Sequence, residues 1–243
     1  MFSGRTYWIA GASDGLGAEL AKRLDAEGAK LILSARRADR LSDLCCKLRQ
    51  ARALPMDVTD SDSVRKACLS TGPIDGVIYC VGQYVPMRTQ DWDPEESVRI
   101  SDANFTGALR LLGNVVPKMA ERGCGHIVMI GSLAGFTGLP GAIGYGASKA
   151  ALMHLAENMQ ADLRQTGVTV QCINPGFIRT RLTAQNQFAM PQIMTPEAAA
   201  GRVIAAMRRS RFSSSFPAPF AWLFTLSSYV PRAAFLRVMG GSR

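Results

Sequence analysis

The chain has 243 residues, of which 47% are hydrophobic and 19% are charged. This length and composition fit one large α/β domain with a well-filled core, and they argue against disorder, collagen and coiled coil. Its apolar runs are shorter than the ~18–20 residues of a membrane-spanning helix. The first residues lack the pattern of a secretory signal. We therefore expect a cytoplasmic protein.

Cysteine and histidine are placed without the spacing of a metal site. The six cysteines include no CxxC pair, and the two histidines, His126 and His154, do not stand at ligand spacing with them. In a chain of this size without a secretory signal, such cysteines indicate reduced and mostly buried thiols. The sequence therefore predicts no metal site.

The net charge of +9 is unevenly distributed. Residues 1–197 contain 21 Lys and Arg residues against 19 Asp and Glu residues, so they contribute only +2. The remaining +7 comes from seven arginines in residues 198–243, a segment that contains no acid and seven of the 18 aromatic residues. The chain is thus a nearly neutral body with a basic, aromatic end.

Short runs rich in Val, Ile and Leu alternate with amphipathic stretches along the chain. The runs predict buried strands at Thr6–Ala10, Lys30–Ala35, Ile74–Val81, His126–Gly131 and Val168–Ile173. The amphipathic stretches predict helices at Leu16–Ala26, Leu41–Arg49, Ser63–Leu69, Pro94–Glu121 and Tyr145–Arg164. This alternation indicates an α/β fold with a parallel sheet between two layers of helices. A ligand is expected beyond the carboxyl ends of the strands.

A glycine-rich loop lies between the first predicted strand and the first predicted helix. Glycines at such a turn let the backbone approach a pyrophosphate, whose charge the helix N-terminus stabilises. A simple glycine-rich turn is the alternative interpretation. The residues that we expect to contact a cofactor here are Gly11, Ser13, Asp14, Gly15, Leu16 and Gly17.

Two arginines, Arg36 and Arg37, follow the second predicted strand. In NAD-selective sites an acid near this point takes the ribose 2′-hydroxyl, but here Ala35 stands at that position. A guanidinium suits a 2′-phosphate by its charge and its forked geometry. The sequence therefore favours NADP(H) over NAD(H), and the alternative is a solvated basic start of the next helix.

Ser132 directly follows the predicted strand His126–Gly131, and Tyr145 and Lys149 stand four residues apart in the next predicted helix. Residues at this spacing share one helix face, so the lysine ammonium can favour the phenolate and lower the pKa of Tyr145. Ser132 can donate a hydrogen bond to a substrate carbonyl. Each of these residues is common by itself, and a tyrosine and a lysine at this spacing usually lie on an ordinary helix surface.

In combination, these features resemble the short-chain dehydrogenase/reductase family, in the branch whose chains have about 250 residues. The resemblance covers roughly residues 5–209. It implies a single Rossmann-type domain, doubly wound around a seven-stranded and mostly parallel sheet, and an oxidoreductase that uses NADP(H). The matching positions are Gly11, Gly15, Gly17, Asp57, Val58, Gly82, Asn104, Ser132, Tyr145, Lys149, Asn174, Pro175, Gly176 and Thr180.

The resemblance also implies roles for individual residues. Tyr145 would be the acid in ketone reduction and the base in alcohol oxidation, while Lys149 lowers its pKa and binds the nicotinamide ribose. Ser132 would polarise the carbonyl, and Asn104 would hold a water in a proton relay. The other implied cofactor contacts are Asp57 and Val58 at the adenine, Gly82 after the fourth strand, and Pro175, Gly176, Ile178 and Thr180 at the nicotinamide amide and the pyrophosphate.

Three positions depart from the family pattern. The usual Asn-Ala-Gly reads Cys80-Val81-Gly82, which removes one polar group near the adenosine ribose. Asp14 stands where many NADP-binding relatives carry a basic residue, which weakens the preference for NADP(H). The Asp-Gly-Gly that often follows the last strand is missing.

The segment Arg181–Thr195 occupies the place of the family's mobile substrate lid. It contains Leu182, Phe188, Met190, Ile193 and Met194, which suggest an adaptable apolar wall and a lipophilic carbonyl substrate. Generic packing of the lid is the alternative interpretation.

We divide the chain into a catalytic domain, 1–211, and a basic, aromatic extension, 212–243, whose first part is an expected last strand that ends at Phe216. The extension is suited to peripheral contact with a membrane surface; a flap over the substrate entrance and a subunit contact are the alternatives. Nucleic-acid binding is not expected from the nearly neutral body.

We expect a homodimer or homotetramer, because relatives pair through the helices that contain Asn104 and Tyr145. An alternative to catalysis is an NADP(H)-binding sensor or scaffold without turnover, although such a protein would not need residues that handle protons.

Overall fold

A parallel sheet forms the centre of the computed structural model, which describes residues 1–186, 188–227, 231, 233, 235 and 237. Within these residues the sheet has seven strands in the order β3-β2-β1-β4-β5-β6-β7, and each pair of neighbours is parallel. The strands are β1 (Thr6–Ala10), β2 (Lys30–Ser34), β3 (Ala51–Ala53), β4 (Gly76–Tyr79), β5 (Gly125–Ile130), β6 (Val168–Pro175) and β7 (Ser213–Phe216). The predicted fold class is confirmed.

The helices cover both faces of the sheet. They are α1 (Gly15–Ala26), α2 (Ala38–Cys45), α3 (Ser61–Ser70), α4 (Pro94–Ser101), α5 (Gly107–Arg122), α6 (Ile143–Asp162), α7 (Pro196–Met207) and α8 (Phe220–Thr225). Side chains alternate along β1, so that Tyr7 and Ile9 join the core beneath α1 and α7, while Trp8 joins the core beneath α3, α5 and α6. Both faces of the central strands are therefore buried, as their continuous apolar runs predict.

One long predicted helix is interrupted in the structure. The sequence predicts a single helix over Pro94–Glu121, but α4 ends at Ser101, a π-helical turn spans Asp102–Thr106, and α5 begins at Gly107. The extra residue of a π turn changes the direction in which the following side chains point. The prediction of one continuous helix is wrong for this reason, and the interruption contains Asn104.

The second helix also differs from its prediction over Leu41–Arg49, because α2 begins at Ala38 and ends at Cys45. The carboxylate of Asp25 accepts hydrogen bonds from the amides of Arg49 and Gln50, at 2.8 and 3.2 Å. These bonds hold the backbone of both residues in the approach to β3, where it cannot continue a helix. This long-range contact explains why α2 ends earlier than the local amphipathic pattern predicts.

The cysteines are free, but they are less buried than predicted. Cys68 and Cys172 are buried, Cys45 and Cys80 are partly buried, and the remaining two are exposed: Cys46 and Cys124. In the described part of the chain, no group of His, Cys, Asp and Glu side chains could hold a metal ion. Across those same residues, every helix is too short or too polar to cross a membrane.

Candidate active site

The glycine loop between β1 and α1 is closely packed on three sides. A Cβ atom on Gly11, whose φ is +90°, would lie 2.8 Å from the backbone of Cys80, which follows β4. A Cβ on Gly17 would overlap the carbonyl oxygen of Gly11. Gly15 has a φ of +52°, and the position of its absent Cβ lies 3.0 Å from Cγ2 of Thr180. The loop therefore requires glycine at these positions.

Helix α1 directs its N-terminus toward the glycine loop. Asp14 is its N-cap, and the Asp14 carboxylate accepts a hydrogen bond from the amide of Gly15 at 2.7 Å. No acidic side chain follows in the first turn of the helix, so the turn itself does not cancel the positive end of the dipole. Ser13 is partly exposed in the loop, whereas the side chain of Leu16 is buried in the core, which leaves only its backbone for a ligand.

The two arginines after β2 differ in their surroundings. Arg36 is exposed, whereas the guanidinium of Arg37 lies 3.7 Å from the carboxylate of Asp14. Nη2 of Arg37 is buried and has no hydrogen-bond partner among the described residues. A buried guanidinium nitrogen without a partner is costly, so an anionic oxygen at this corner would be stabilised. Arg37 thus points toward the glycine loop.

A groove of about 610 Å³ opens beside the glycine loop. It is lined by the loop itself, by α1 and α2, and by the segment after β6, including Asp14, Lys22, Arg40 and Thr180. Its volume lies within the range of small-molecule sites. The groove brings basic and acidic side chains together near the predicted pyrophosphate position.

Asp57 and Val58 follow β3 and are fixed by local contacts. Oδ1 of Asp57 accepts hydrogen bonds from the amide and the hydroxyl of Thr59, at 2.9 and 2.7 Å. The side chain of Val58 is buried against Gly107 at the start of α5. A ligand at this point can therefore meet the Asp57 carboxylate and the Val58 backbone, but not the Val58 side chain.

The segment after β4 passes between the glycine loop and Lys149. The thiol of Cys80 has its pKa raised to about 11 by burial, with Lys149 acting in the opposite direction, so it remains protonated at neutral pH. A Cβ atom on Gly82 would lie 3.5 Å from Cδ1 of Leu182, an ordinary contact distance. This segment therefore keeps its place beside the glycine loop with Cys80 rather than a polar amide at residue 80.

The π turn directs the side chain of Asn104 toward the segment after β4. Its Oδ1 accepts a hydrogen bond from the amide of Gln83 at 2.7 Å, and its Nδ2 donates to the carbonyl of Gln83 at 2.9 Å and to Oγ of Ser148 at 3.0 Å. Ser148 lies between Tyr145 and Lys149 on α6. Asn104 therefore joins the end of β4 to the helix that contains the predicted catalytic pair.

Ser132, Tyr145 and Lys149 meet where β5 ends. Ser132 begins a short 3-10 turn, and its Oγ accepts a hydrogen bond from the amide of Ala134 at 3.1 Å, which leaves its own proton available. Nζ of Lys149 donates to the carbonyl of Ile130 at 2.9 Å and lies 5.9 Å from the centre of the Tyr145 ring. Lys149 is only 3% exposed, so its charge acts through a poorly solvated space.

The direction of the Tyr145 pKa differs from the sequence prediction. Burial raises the pKa of the Tyr145 phenol, and hydrogen bonding with Ser132 acts in the opposite direction. Burial also lowers the pKa of Lys149, to about 8. For both side chains desolvation is the dominant influence on the pKa, so both groups are protonated at neutral pH.

The segment after β6 closes the site from the other side. Pro175 is paired with Phe216 in the sheet, and the amide of Gly176 donates to the carbonyl of Phe216 at 2.8 Å. Ile178 is buried, and the amide of Thr180 donates to a threonine hydroxyl further along, Oγ1 of Thr183, at 3.0 Å. These contacts bring Thr180 against Gly15, so the predicted positions on both sides of the pyrophosphate face each other.

Aromatic rings connect the predicted lid to the C-terminal helix. Phe188, which is 50% exposed, lies 5.9 Å from the ring of Phe177, and Phe177 stacks on Phe220 at 5.7 Å. Phe220 begins α8, whose Phe224 packs against Leu133, directly after Ser132. The start of the extension thus packs beside the turn that follows Ser132, and its role as a flap stays a prediction.

The rest of the extension is only partly described. Trp222, Leu223 and Leu226 are exposed, being 60%, 43% and 55% accessible. Tyr229, Arg232 and Arg243, which contribute to the predicted membrane contact, lie outside the described residues. Contact with a membrane surface and the pairing of copies through α5 and α6 stay predictions.

Sequence reasoning missed Tyr84 and Ser148. The ring of Tyr84 lies 5.0 Å from that of Tyr145 at an interplanar angle of 67°, and its hydroxyl donates to Oδ1 of Asn186 at 2.9 Å. Tyr84 follows Gly82 by two residues, outside any motif, so only its nearness to the end of β4 could have indicated a role. Ser148 could have been noticed, because it stands beside Lys149 in the predicted helix.

Comparisons with known proteins agree with this geometry. The sequence model of the short chain dehydrogenase family matches residues 5–190. An "Uncharacterized oxidoreductase" of Myxococcus xanthus (strain DK1622) is 37% identical over 242 residues, 95% of this chain and 94% of that protein. Among solved structures, a short-chain dehydrogenase from Burkholderia cenocepacia J2315 in complex with NADP has a TM-score of 0.88, at 25% identity over 98% of this chain and 99% of its own. A short-chain dehydrogenase from Sphingobium yanoikuyae in complex with NADPH has a TM-score of 0.84, at 26% identity over 98% and 96%.

Proposed function

Because the chain belongs to the short-chain dehydrogenase family, we propose that it is an NADP(H)-dependent oxidoreductase that interconverts a carbonyl and a hydroxyl group, with ketone reduction as its main direction. The observation that carries the proposal is the meeting of Asn104, Ser132, Tyr145 and Lys149 at the carboxyl ends of β4 and β5. A protein that only bound a dinucleotide would not need this group of proton-handling residues.

The residues around the glycine loop fit an NADP(H) molecule. The close contacts of Gly11 and the N-terminus of α1 provide the cradle for a pyrophosphate. The buried Nη2 of Arg37, which lacks a partner among the described residues, provides a donor for a 2′-phosphate, and the exposed Arg36 adds a second positive charge. NADP in the Burkholderia protein and NADPH in the Sphingobium protein support this choice. The bound cofactor supplies the hydride.

Tyr145 donates the proton in this proposal. Burial raises its pKa, so the phenol is protonated at neutral pH and can protonate a carbonyl oxygen as that oxygen gains charge. Ser132 donates a second hydrogen bond to the same oxygen. The buried ammonium of Lys149 stabilises the phenolate that Tyr145 leaves behind, because charges interact strongly where water is excluded.

The proposed substrate is a lipophilic carbonyl compound. Its support is the aromatic row Phe188, Phe177 and Phe220, which runs from the lid to α8 beside the turn that follows Ser132. Aromatic side chains provide a large apolar contact area. Methionines of the lid, such as Met190 and Met194, can adapt to substrates of different shape.

The test is the oxidation of NADPH, with NADH in parallel, by ketones and aldehydes of increasing chain length. Tyr145→Phe keeps the ring and removes the acidic hydroxyl, so it should lower kcat by about 10²–10⁴-fold. Tyr7→Phe, the same change at a buried tyrosine beneath the opposite end of the sheet, is the matched control and should retain turnover.

Three outcomes separate the parts of the proposal. Turnover that requires Tyr145 and rises with chain length supports a lipophilic carbonyl substrate. Turnover that favours short polar ketones would rule that substrate class out while leaving the chemistry intact. Binding of NADPH without turnover of any substrate would favour the sensor or scaffold.

A further inference from the structure

Tyr84 occupies a junction between the catalytic tyrosine and the substrate side of the site. Its ring meets the Tyr145 ring edge to face at 5.0 Å. Its hydroxyl donates a hydrogen bond to Oδ1 of Asn186 at 2.9 Å, and its backbone carbonyl accepts one from Nε2 of Gln185 at 3.1 Å. Both partners lie at the end of a short helical turn, residues 183–186, in the predicted lid.

The backbone beside Tyr84 is held in place independently of the lid. Asn104 binds the amide and the carbonyl of the preceding residue, Gln83, and the Gln83 side chain donates to the carboxylate of Glu96 at 3.2 Å. The ring of Tyr84 therefore projects from a fixed point. The 183–186 turn, by contrast, has an exposed residue at Ala184 and another at Gln185.

We propose that Tyr84 is a positioning residue whose hydroxyl fastens the 183–186 turn beside Tyr145 and so holds the lid closed over the substrate. The role of Tyr145 here rests on the proposed function, whereas the fastening of the turn by Tyr84 does not. Tyr84 does not take part in the proton transfer, because its hydroxyl proton is directed to Asn186. The ring of Tyr84 limits the space above the Tyr145 phenol. The hydroxyl of Tyr84 fixes the position of the 183–186 turn relative to that phenol.

Hydrogen exchange of the turn, measured by mass spectrometry without cofactor or substrate, tests the fastening. The amides of Ala184 and Asn186 are protected by bonds to the carbonyls of Thr180 and Thr183, at 3.0 and 3.1 Å. Tyr84→Phe removes one hydrogen bond, so it should raise the opening equilibrium of the turn about three- to tenfold. Asn186→Ala should have at least this effect, because it also removes the contact of Nδ2 with the sulfur of Met190 at 3.3 Å, and the double variant should exceed Asn186→Ala by little.

Two further variants make this test specific. Asn186→Asp retains an acceptor for the Tyr84 hydroxyl. Unlike Asn186→Ala, it should show exchange of the turn close to that of the wild type. Tyr7→Phe removes a tyrosine hydroxyl that bonds to His126, away from the lid, and should leave exchange of the turn unchanged. Unchanged exchange in Tyr84→Phe, or fully additive effects in the double variant, would overturn the proposal.

Steady-state kinetics extend the test to the substrate. Because the ring of Tyr84→Phe still packs on Tyr145, KM for the carbonyl substrate should rise about three- to tenfold while kcat stays near its wild-type value. A fall in kcat without a change in KM would contradict the assignment. If Tyr145→Phe retained full turnover and so showed that the proposed chemistry is wrong, the exchange result would still decide whether Tyr84 fastens the lid.

Discussion

Lys149 places a positive charge where almost no water reaches it. Its ammonium is satisfied by the carbonyls of Ile130 and Val81, at 2.9 and 3.4 Å, and burial lowers its pKa to about 8 from an ordinary value of 10.5. Keeping this charge in the folded protein therefore costs free energy at neutral pH. We interpret that cost as the consequence of holding a cation beside the Tyr145 phenol.

The cost predicts how stability depends on pH. Between pH 8 and 10.5 the unfolded chain retains the Lys149 proton while the folded protein has lost it, so the free energy of unfolding rises with pH across this window. Lys149→Met lacks this rise. The free energy of unfolding of Lys149→Met minus that of the wild type should therefore fall by roughly 3 kcal/mol from pH 7 to pH 10.5, at 1.36 kcal/mol per pKa unit.

Urea unfolding of the cofactor-free protein at a series of pH values measures this difference. Lys118→Met, at an exposed position on α5, is the control for the general loss of a lysine. A difference between Lys149→Met and the wild type that stays constant from pH 7 to pH 10.5 would contradict a depressed pKa for Lys149.

At the level of elements, the sequence predicts the sheet well because its central strands are buried on both faces. Their apolar runs are too short for a helix and rich in Val, Ile and Leu, and β1 matches its predicted bounds, Thr6–Ala10. The interruption of the helix at Asp102–Thr106 could not be predicted, because the amphipathic pattern continues through it. A tertiary contact accompanies it, because Asn104 within the turn satisfies both backbone groups of Gln83.

The packing of helix α8 could not be predicted from the sequence either. An apolar stretch with exposed aromatic residues suggests a membrane-facing segment, and nothing local reveals that Phe224 is only 2% exposed while Trp222 is 60% exposed. Phe220, one of the partners of Phe224, is near in sequence, but Leu133, which directly follows Ser132, is distant. Contacts of this kind follow from the closed fold and leave no periodic signal in a helix of six residues.

The packing of α8 gives a prediction for stability. Phe224→Ala should lower the free energy of unfolding by about 3–5 kcal/mol, because it removes a buried ring that contacts Phe220 at 5.1 Å. Leu223→Ala, its 43% exposed neighbour, is the control and should change it by less than about 0.5 kcal/mol. Urea unfolding measures both variants. Equal effects would mean that α8 does not pack against the turn after Ser132 in solution.

At the scale of the whole molecule, the strand order brings two distant stretches of sequence together. Because β1 lies next to β4, the glycine loop after β1 faces the segment after β4 that contacts Asn104 and Lys149. A dinucleotide that spans this crevice would bridge the half containing β2 and Arg37 and the half containing β5 and Tyr145. Binding across both halves should therefore stabilise the entire fold.

This linkage gives a prediction that needs no substrate. At 100 times its Kd, NADPH should add about 2.7 kcal/mol to the free energy of unfolding, which corresponds to a rise in Tm of about 5–11 °C for a chain of this size. NADH at the same concentration should raise Tm less, because Arg36 and Arg37 then have no 2′-phosphate to bind. Replacing both arginines by alanine should reduce the NADPH shift to that of NADH and leave the NADH shift unchanged.

Thermal unfolding with each nucleotide measures these shifts, and Arg65→Ala controls for the loss of a surface charge. Arg65 is an exposed residue of α3 that pairs with Asp62 at 3.2 Å, so its removal should preserve the preference for NADPH. Equal shifts for NADPH and NADH in the wild type would show that the Asp14 carboxylate, 3.7 Å from Arg37, has cancelled the attraction for a 2′-phosphate. In that case Asp14→Ala should create the preference, since removing the acid frees the Arg37 guanidinium.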